Sequence, residues 1–169
     1  DKYCMMTEHV SIPEDRINLL KRIKGWKEEL KKFLDTDVDV REDVTISGDP
    51  LQVLRGKEII KAFGRGFDFK DTLDLLDEEY FLDVISMNEF IGKSKGRQVA
   101  LRGRVIGEEG RTKKMIEKYA DVKVAIYGKT VSIIGKPQNI KIARDAIEMI
   151  LSGSKHNSVY RFLHENRVV

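Results

Sequence analysis

The chain has 169 residues, 41% hydrophobic and 35% charged, which is room for one ordinary domain or two small ones beneath a salt-rich surface. No apolar run reaches the roughly 18 residues of a membrane span, so none is expected, and the lone Cys4 rules out an internal disulfide or a cysteine-built zinc site and suits a reducing, cytoplasmic setting. The net charge of +3 hides a polarity: residues 1–87 carry 14 Lys+Arg and 20 Asp+Glu, residues 88–169 carry 17 and 8, so a polyanion is the expected partner of the second half.

The chain opens at Asp1, without a methionine or a visible signal peptide, which is compatible with a missing N-terminal segment. HVSI (His9–Ile12) reads as the first strand. DTDVDV (Asp35–Val40) alternates as a strand does. A calcium loop there would need Gly at Val40 and Glu at Ile46. VTISG then leads through a turn into a helix opened by Pro50. Between Gly64 and Tyr80, GRGFDF reads as a glycine hinge and DTLDLLDEEY as one acidic linking helix. FLDVISM (Phe81–Met87) is a second opening strand. Helices over Arg97–Val105 and Arg111–Tyr119 follow, separated by the loop GEEG. VAIYGKTVSIIG reads as a hairpin turning at GKT. A phosphate loop would need Gly where Lys123 stands. Pro137 opens a helix with Ile140, Ala143, Ile147, Ile150 and Leu151 on one stripe. After SGSK, a last helix over about Asn157–Asn166 places Val159, Tyr160 and Leu163 for docking on the second domain. The histidines His9, His156 and His164 are scattered. No metal, cofactor or catalytic set is recognisable.

The chain repeats itself. Val44, Ile46, Gly48 and Pro50 match Val131, Ile133, Gly135 and Pro137 at a constant offset of 87. DVDV (Asp37–Val40) matches DVKV (Asp121–Val124), and IKGWKEELKKFL (Ile23–Leu34) matches IGEEGRTKKMIE (Ile106–Glu117). Two related α+β domains are expected, 1–79 and 80–169, each strand–helix–helix–strand–strand–helix and packed together, with a further C-terminal helix.

Gly107 and Gly110 bracket the second copy's loop. Glycine permits φ > 0 and removes the Cβ that holds a partner away from the backbone. The next helix begins there with free N–H groups and the positive end of its dipole. Arg102, Arg104, Arg111, Lys113 and Lys114 add long-range attraction for phosphate. Ile106, Ile116, Val122 and Val124 are candidates for an apolar wall against bases. Glu108 and Glu109 lower the attraction and are placed to cap the next helix.

Ile106-Gly107-Glu108-Glu109-Gly110, in this element order, resembles the loop of the eukaryotic-type KH domain, which clamps about four nucleotides of single-stranded nucleic acid. RGRVIGEEGRTKKMIEKY, VAIYGKTVSIIG and SGSKHNSVYRFL are further similar to the two-KH ribosome-assembly proteins of archaea and eukaryotes. The resemblance implies an archaeal member that binds single-stranded RNA, the small-subunit rRNA near its 3′ end, beside the endonuclease that trims it. It implies no catalysis by the chain itself. The implied RNA-contacting set is Arg102, Arg104, Ile106, Gly107, Glu108, Glu109, Gly110, Arg111, Thr112, Lys113, Lys114, Val122 and Val124. His156 and Arg161 are candidates to extend it. In that family the first copy lacks the glycine loop and serves protein contacts. Here Lys24 and Lys27 align with the two glycines, and Trp26 between them is either a partner anchor or buried between the copies. Two other readings stay open: a protein adaptor with a vestigial loop, and a KH protein for other single-stranded nucleic acid.

Overall fold

The computed structural model describes residues 4–92 and 94–168. They form two compact units, Asp1–Asp77 and Glu78–Val169. Unit 1 runs β1 (Met6–Val10), α1 (Glu14–Arg22), α2 (Trp26–Phe33), β2 (Thr36–Val40), β3 (Val44–Gly48), α3 (Pro50–Gly64), α4 (Phe69–Thr72) and a 3-10 turn at Leu73–Leu76. Unit 2 runs β4 (Phe81–Ser86), α5 (Asn88–Ile91), α6 (Lys95–Ile106), a 3-10 turn at Glu108–Gly110, α7 (Arg111–Ala120), β5 (Lys123–Tyr127), β6 (Thr130–Gly135), α8 (Pro137–Leu151) and α9 (His156–Glu165).

Each unit is built on an antiparallel three-stranded sheet with its third strand in the centre, β1-β3-β2 and β4-β6-β5. The helices begin where chemistry lets them. Pro50 and Pro137 occupy the first turns of α3 and α8, where no intrahelical N–H is lost. α1 carries Glu14 and Asp15 in its first turn and Lys21 and Arg22 in its last, matching its dipole. Gly128 and Lys129 of GKT form the two-residue turn between β5 and β6, with Gly128 at φ 55°, and Thr130 opens β6.

The core of unit 2 joins Ile85, Met87, Val105, Ile116, Val131, Ile133, Ala143, Ile147 and Ile150. Val159 and Leu163 of α9 belong to the same cluster and are fully buried, so the last helix docks on unit 2. Burying each such side chain contributes about 1.5–3 kcal/mol.

Several expectations need correction. β1 starts at Met6 and not at His9. Thr7 and Glu8 oppose Ser47 and Ile46 in the ladder, but their polarity hides the strand from a hydrophobic reading. The glycine hinge is a fixed corner: Phe67 and Phe69 are buried, and Arg16 donates to the carbonyls of Phe63 and Phe67 at 2.9 and 2.8 Å. The single linking helix is instead α4 followed by a 3-10 turn.

The repeat also shifts. Ile46 and Ile133 are equivalent central positions, and Val38 and Val124 stand opposite them. Val124 thus corresponds to Val38, two residues from the match to Val40 made on sequence. A slip of two keeps every side chain on its own face, so alternation alone cannot detect it.

Candidate nucleic-acid interface

α6 ends at Ile106 and α7 begins at Arg111, leaving four residues to turn the corner. Three of them have positive φ: Gly107 at 78°, Glu109 at 55° and Gly110 at 74°. Gly110 is the left-handed N-cap of α7, and no side chain caps that helix. Glu108 and Glu109 lie in the 3-10 turn just before α7, beside the positive end of its dipole but not as its N-cap, and α7 starts at the exposed Arg111.

The two glycines do different work. A Cβ on Gly110 would meet nothing nearer than Lys114 Cε at 3.7 Å, so this backbone is open to an approaching partner. A Cβ on Gly107 would lie 2.3 Å from Thr112 Oγ1 and 2.7 Å from its backbone nitrogen. Gly107 is glycine because Thr112 packs against it. Both glycines were expected to bare the backbone; only Gly110 has open space beside it, and at Gly107 that space is taken by Thr112.

The cations sort in the same way. Arg111 and Lys114 are exposed and Lys113 is half-buried. Arg111 lies over the Tyr160 ring, 5.3 Å from its centroid, and Lys114 makes a long 3.5 Å contact to the Glu109 carbonyl. Arg104 is not available to phosphate: its guanidinium donates to the carbonyl of Ile150 at 2.9 Å and to that of Ser154. It ties the end of α8 to α6. Arg102 is half-buried, and its Nε has no hydrogen-bond partner among the described residues.

The apolar wall also changes. Val122 and Val124 are buried at 8% and 3% exposure, and Ile116 and Thr112 are fully buried, so none of the four presents a face to a ligand. Ile106 remains, 37% exposed at the end of α6. Sequence reasoning missed Val99, 66% exposed, which shares the outer face of α6 with Gly96, Gly103 and Ile106. The spacing of three, four and three was legible, but the inward face of half-buried Gln98 and Leu101 and buried Val105 competes with it. Also missed was Lys118, which with Glu108, Glu109, Arg111, Lys114 and Met115 lines a depression of ≈ 440 Å³ on α7. Arg111, Lys114 and Lys118 fall on one helix face, at i, i+3 and i+7.

His156 is spent internally, its Nε2 2.9 Å from the Arg104 carbonyl, whereas Arg161 is exposed. In unit 1, Trp26 is 4% exposed and packs edge-on against Phe69 at 5.9 Å. Burial within its own unit removes it as an exposed anchor. Lys24 and Lys27 are exposed. The turn before Trp26 is one residue shorter than its counterpart, and Gly25, at φ 76°, caps α2 as Gly110 caps α7. The alignment of Lys24 and Lys27 with the glycines was thus out of register. Unit 1 keeps the capping glycine and lacks the one that accommodates Thr112.

The family profile of the eukaryotic-type KH domain (KH-domain type I) matches residues 81–168. A KH domain-containing protein of Methanocaldococcus jannaschii is 37% identical over 95% of this chain and 74% of its own length. A pre-rRNA-processing protein PNO1 of Coccidioides immitis is 34% identical over 63% of this chain, which spans 42% of that protein's length. Among solved structures, a chain in the a/eIF2alpha–aDim2p–rRNA complex from Pyrococcus horikoshii superposes with a TM-score of 0.88. It is 38% identical, over 97% of this chain and 95% of that one. A two-sheet architecture, a glycine corner at a helix start and these relatives agree: the chain belongs to the type I KH-domain family, in its PNO1-like archaeal branch.

Proposed function

We propose that this protein binds single-stranded RNA at the Ile106–Lys114 corner during assembly of the small ribosomal subunit. Its ligand is the 3′ region of the small-subunit rRNA. The observation that carries this reading is the corner itself: a left-handed Gly110 with open space beside it, an uncapped helix start, and exposed Arg111 and Lys114 next to both. Phosphates approach the bare backbone, and the cations draw them there. Ile106 and Val99 offer apolar surface to unstacked bases. The pre-rRNA-processing and rRNA-complexed relatives support the choice of RNA.

The protein holds the RNA and does not cut it. Cleavage belongs to a partner endonuclease working in the same reducing, cytoplasmic compartment. Unit 1, with its acidic surface, supplies protein contacts.

The test is a titration with a short strand copying the rRNA 3′ end, beside a scrambled strand and a duplex, at two salt concentrations. Preference for the true strand that survives the higher salt is the expected result. Equal, salt-fragile binding to all three would leave a basic patch without specific recognition. No binding would favour a protein adaptor.

A further inference from the structure

The corner is held from behind by α9. Thr112 fills the space left by the missing Cβ of Gly107, is fully buried, and shares a 2.9 Å hydrogen bond with the Tyr160 hydroxyl. The Tyr160 ring carries Arg111 at 5.3 Å and stacks on His156 at 6.0 Å. His156 in turn contacts the Arg104 carbonyl at 2.9 Å, in the last turn of α6. Both helices that flank the loop are therefore fastened to one turn of α9: α7 through Tyr160 and α6 through His156. α9 is itself anchored in the core by Val159 and Leu163.

The Tyr160 hydroxyl has a choice of roles. As a fold stabiliser it need only find an acceptor. Here it meets Thr112, whose side chain packs against the backbone of Gly107, and its ring is the surface on which Arg111 rests. Among the described residues no carboxylate pairs with Arg111, so the ring is its visible support.

We propose that Tyr160 is a positioning residue for RNA binding: through Thr112 it fixes the loop, and through its ring it aims Arg111. This rests on the reading of the corner as the RNA site. α9 lies outside the strand–helix–helix–strand–strand–helix repeat, so the device belongs to unit 2's C-terminal extension.

The experiment measures RNA affinity of the full chain for the rRNA-like strand over a series of salt concentrations, well below the unfolding temperature. The variants are Tyr160→Phe, Tyr160→Leu, Thr112→Val, the Tyr160→Phe/Thr112→Val pair and Gly110→Asp. Tyr160→Phe keeps the ring and loses the hydroxyl, so it should weaken binding about fivefold with an unaltered salt slope. Thr112→Val should do the same, and the pair no more than either alone. Tyr160→Leu should weaken binding about tenfold or more and lower the log–log salt slope by about 0.7, one phosphate contact on a single strand. Variants that melt earlier but bind with wild-type affinity and slope would make Tyr160 a stabiliser only and overturn the proposal. Full binding by Gly110→Asp would instead overturn the corner as the RNA site.

Discussion

Gly107 and Gly110 look interchangeable in the sequence, and replacing each with alanine should separate them. At Gly110 the substitution puts a Cβ at φ 74° in open space. The cost is the left-handed strain of a non-glycine residue, about 1–2 kcal/mol. At Gly107 the same strain, at φ 78°, is joined by a Cβ 2.3 Å from Thr112 Oγ1 and 2.7 Å from its nitrogen. Thr112 cannot step aside, because it is fully buried and bonded to Tyr160. Overpacking of this kind adds about 1–3 kcal/mol. For a unit of this size each kcal/mol moves the midpoint by about 4–8 °C. Gly110→Ala should therefore lower the midpoint of unit 2 by about 4–15 °C, and Gly107→Ala by roughly twice that. Thermal denaturation followed by circular dichroism reads both, and RNA titration at low temperature completes the comparison. Gly110→Ala should lose affinity out of proportion to its small loss of stability, because its Cβ faces the partner. Equal midpoint shifts, or a larger one for Gly110→Ala, would refute the division of labour. A further consequence is that a double Gly→Asp variant is a poor test of RNA binding, since the Gly107 change attacks the fold.

Replacing Arg111 and Lys114 together with glutamine should lower the log–log salt slope of RNA binding by about 1.4, the value for two single-strand phosphate contacts, as measured by fluorescence anisotropy. Arg104→Gln should instead cost stability, about 1–3 kcal/mol for two charged hydrogen bonds, and leave that slope alone. Trp26→Ala should destabilise unit 1 by about 3–5 kcal/mol in chemical denaturation, because the indole is packed against Phe69 and not offered to a partner. The Arg144 guanidinium is held above its usual pKa, chiefly by its 2.7 Å hydrogen bond to Asp83, with Glu148 adding to this and burial opposing it. A raised pKa stabilises the fold below the unfolded value and is lost only as pH rises through the folded one, so the gain lies flat across neutral pH and fails only under strong alkali. Asp83→Asn should cost up to about 1 kcal/mol, seen as a lowered midpoint at neutral pH.

Much of this protein was legible before folding. The offset of 87 between VTISGDP and VSIIGKP announced two copies, and Pro50 and Pro137 marked where their last helices begin. Gly107, Gly110 and the cations after them located the corner. Individual roles were less legible. Arg104 and Arg111 are both arginines within a few residues of the loop, but one is turned inward to carbonyls and the other outward over a ring. Val122 and Val124 alternate as a half-exposed strand would, yet both belong to the core of unit 2, where α6 and α7 pack against β5. Thr112 entered the expected RNA-contacting set, but nothing in the sequence signalled its packing role, because its partners Gly107 and Tyr160 lie five residues before it and forty-eight after it.

Local pattern therefore determined the element order, the duplication and the position of the loop, since periodicity, helix-starting prolines and left-handed glycines act over a few residues. Tertiary structure alone decided which cation is free, which valine is covered, and why each glycine is a glycine. Those properties depend on what lies opposite in space, and only the docking of α8 and α9 against α6 and α7 supplies it.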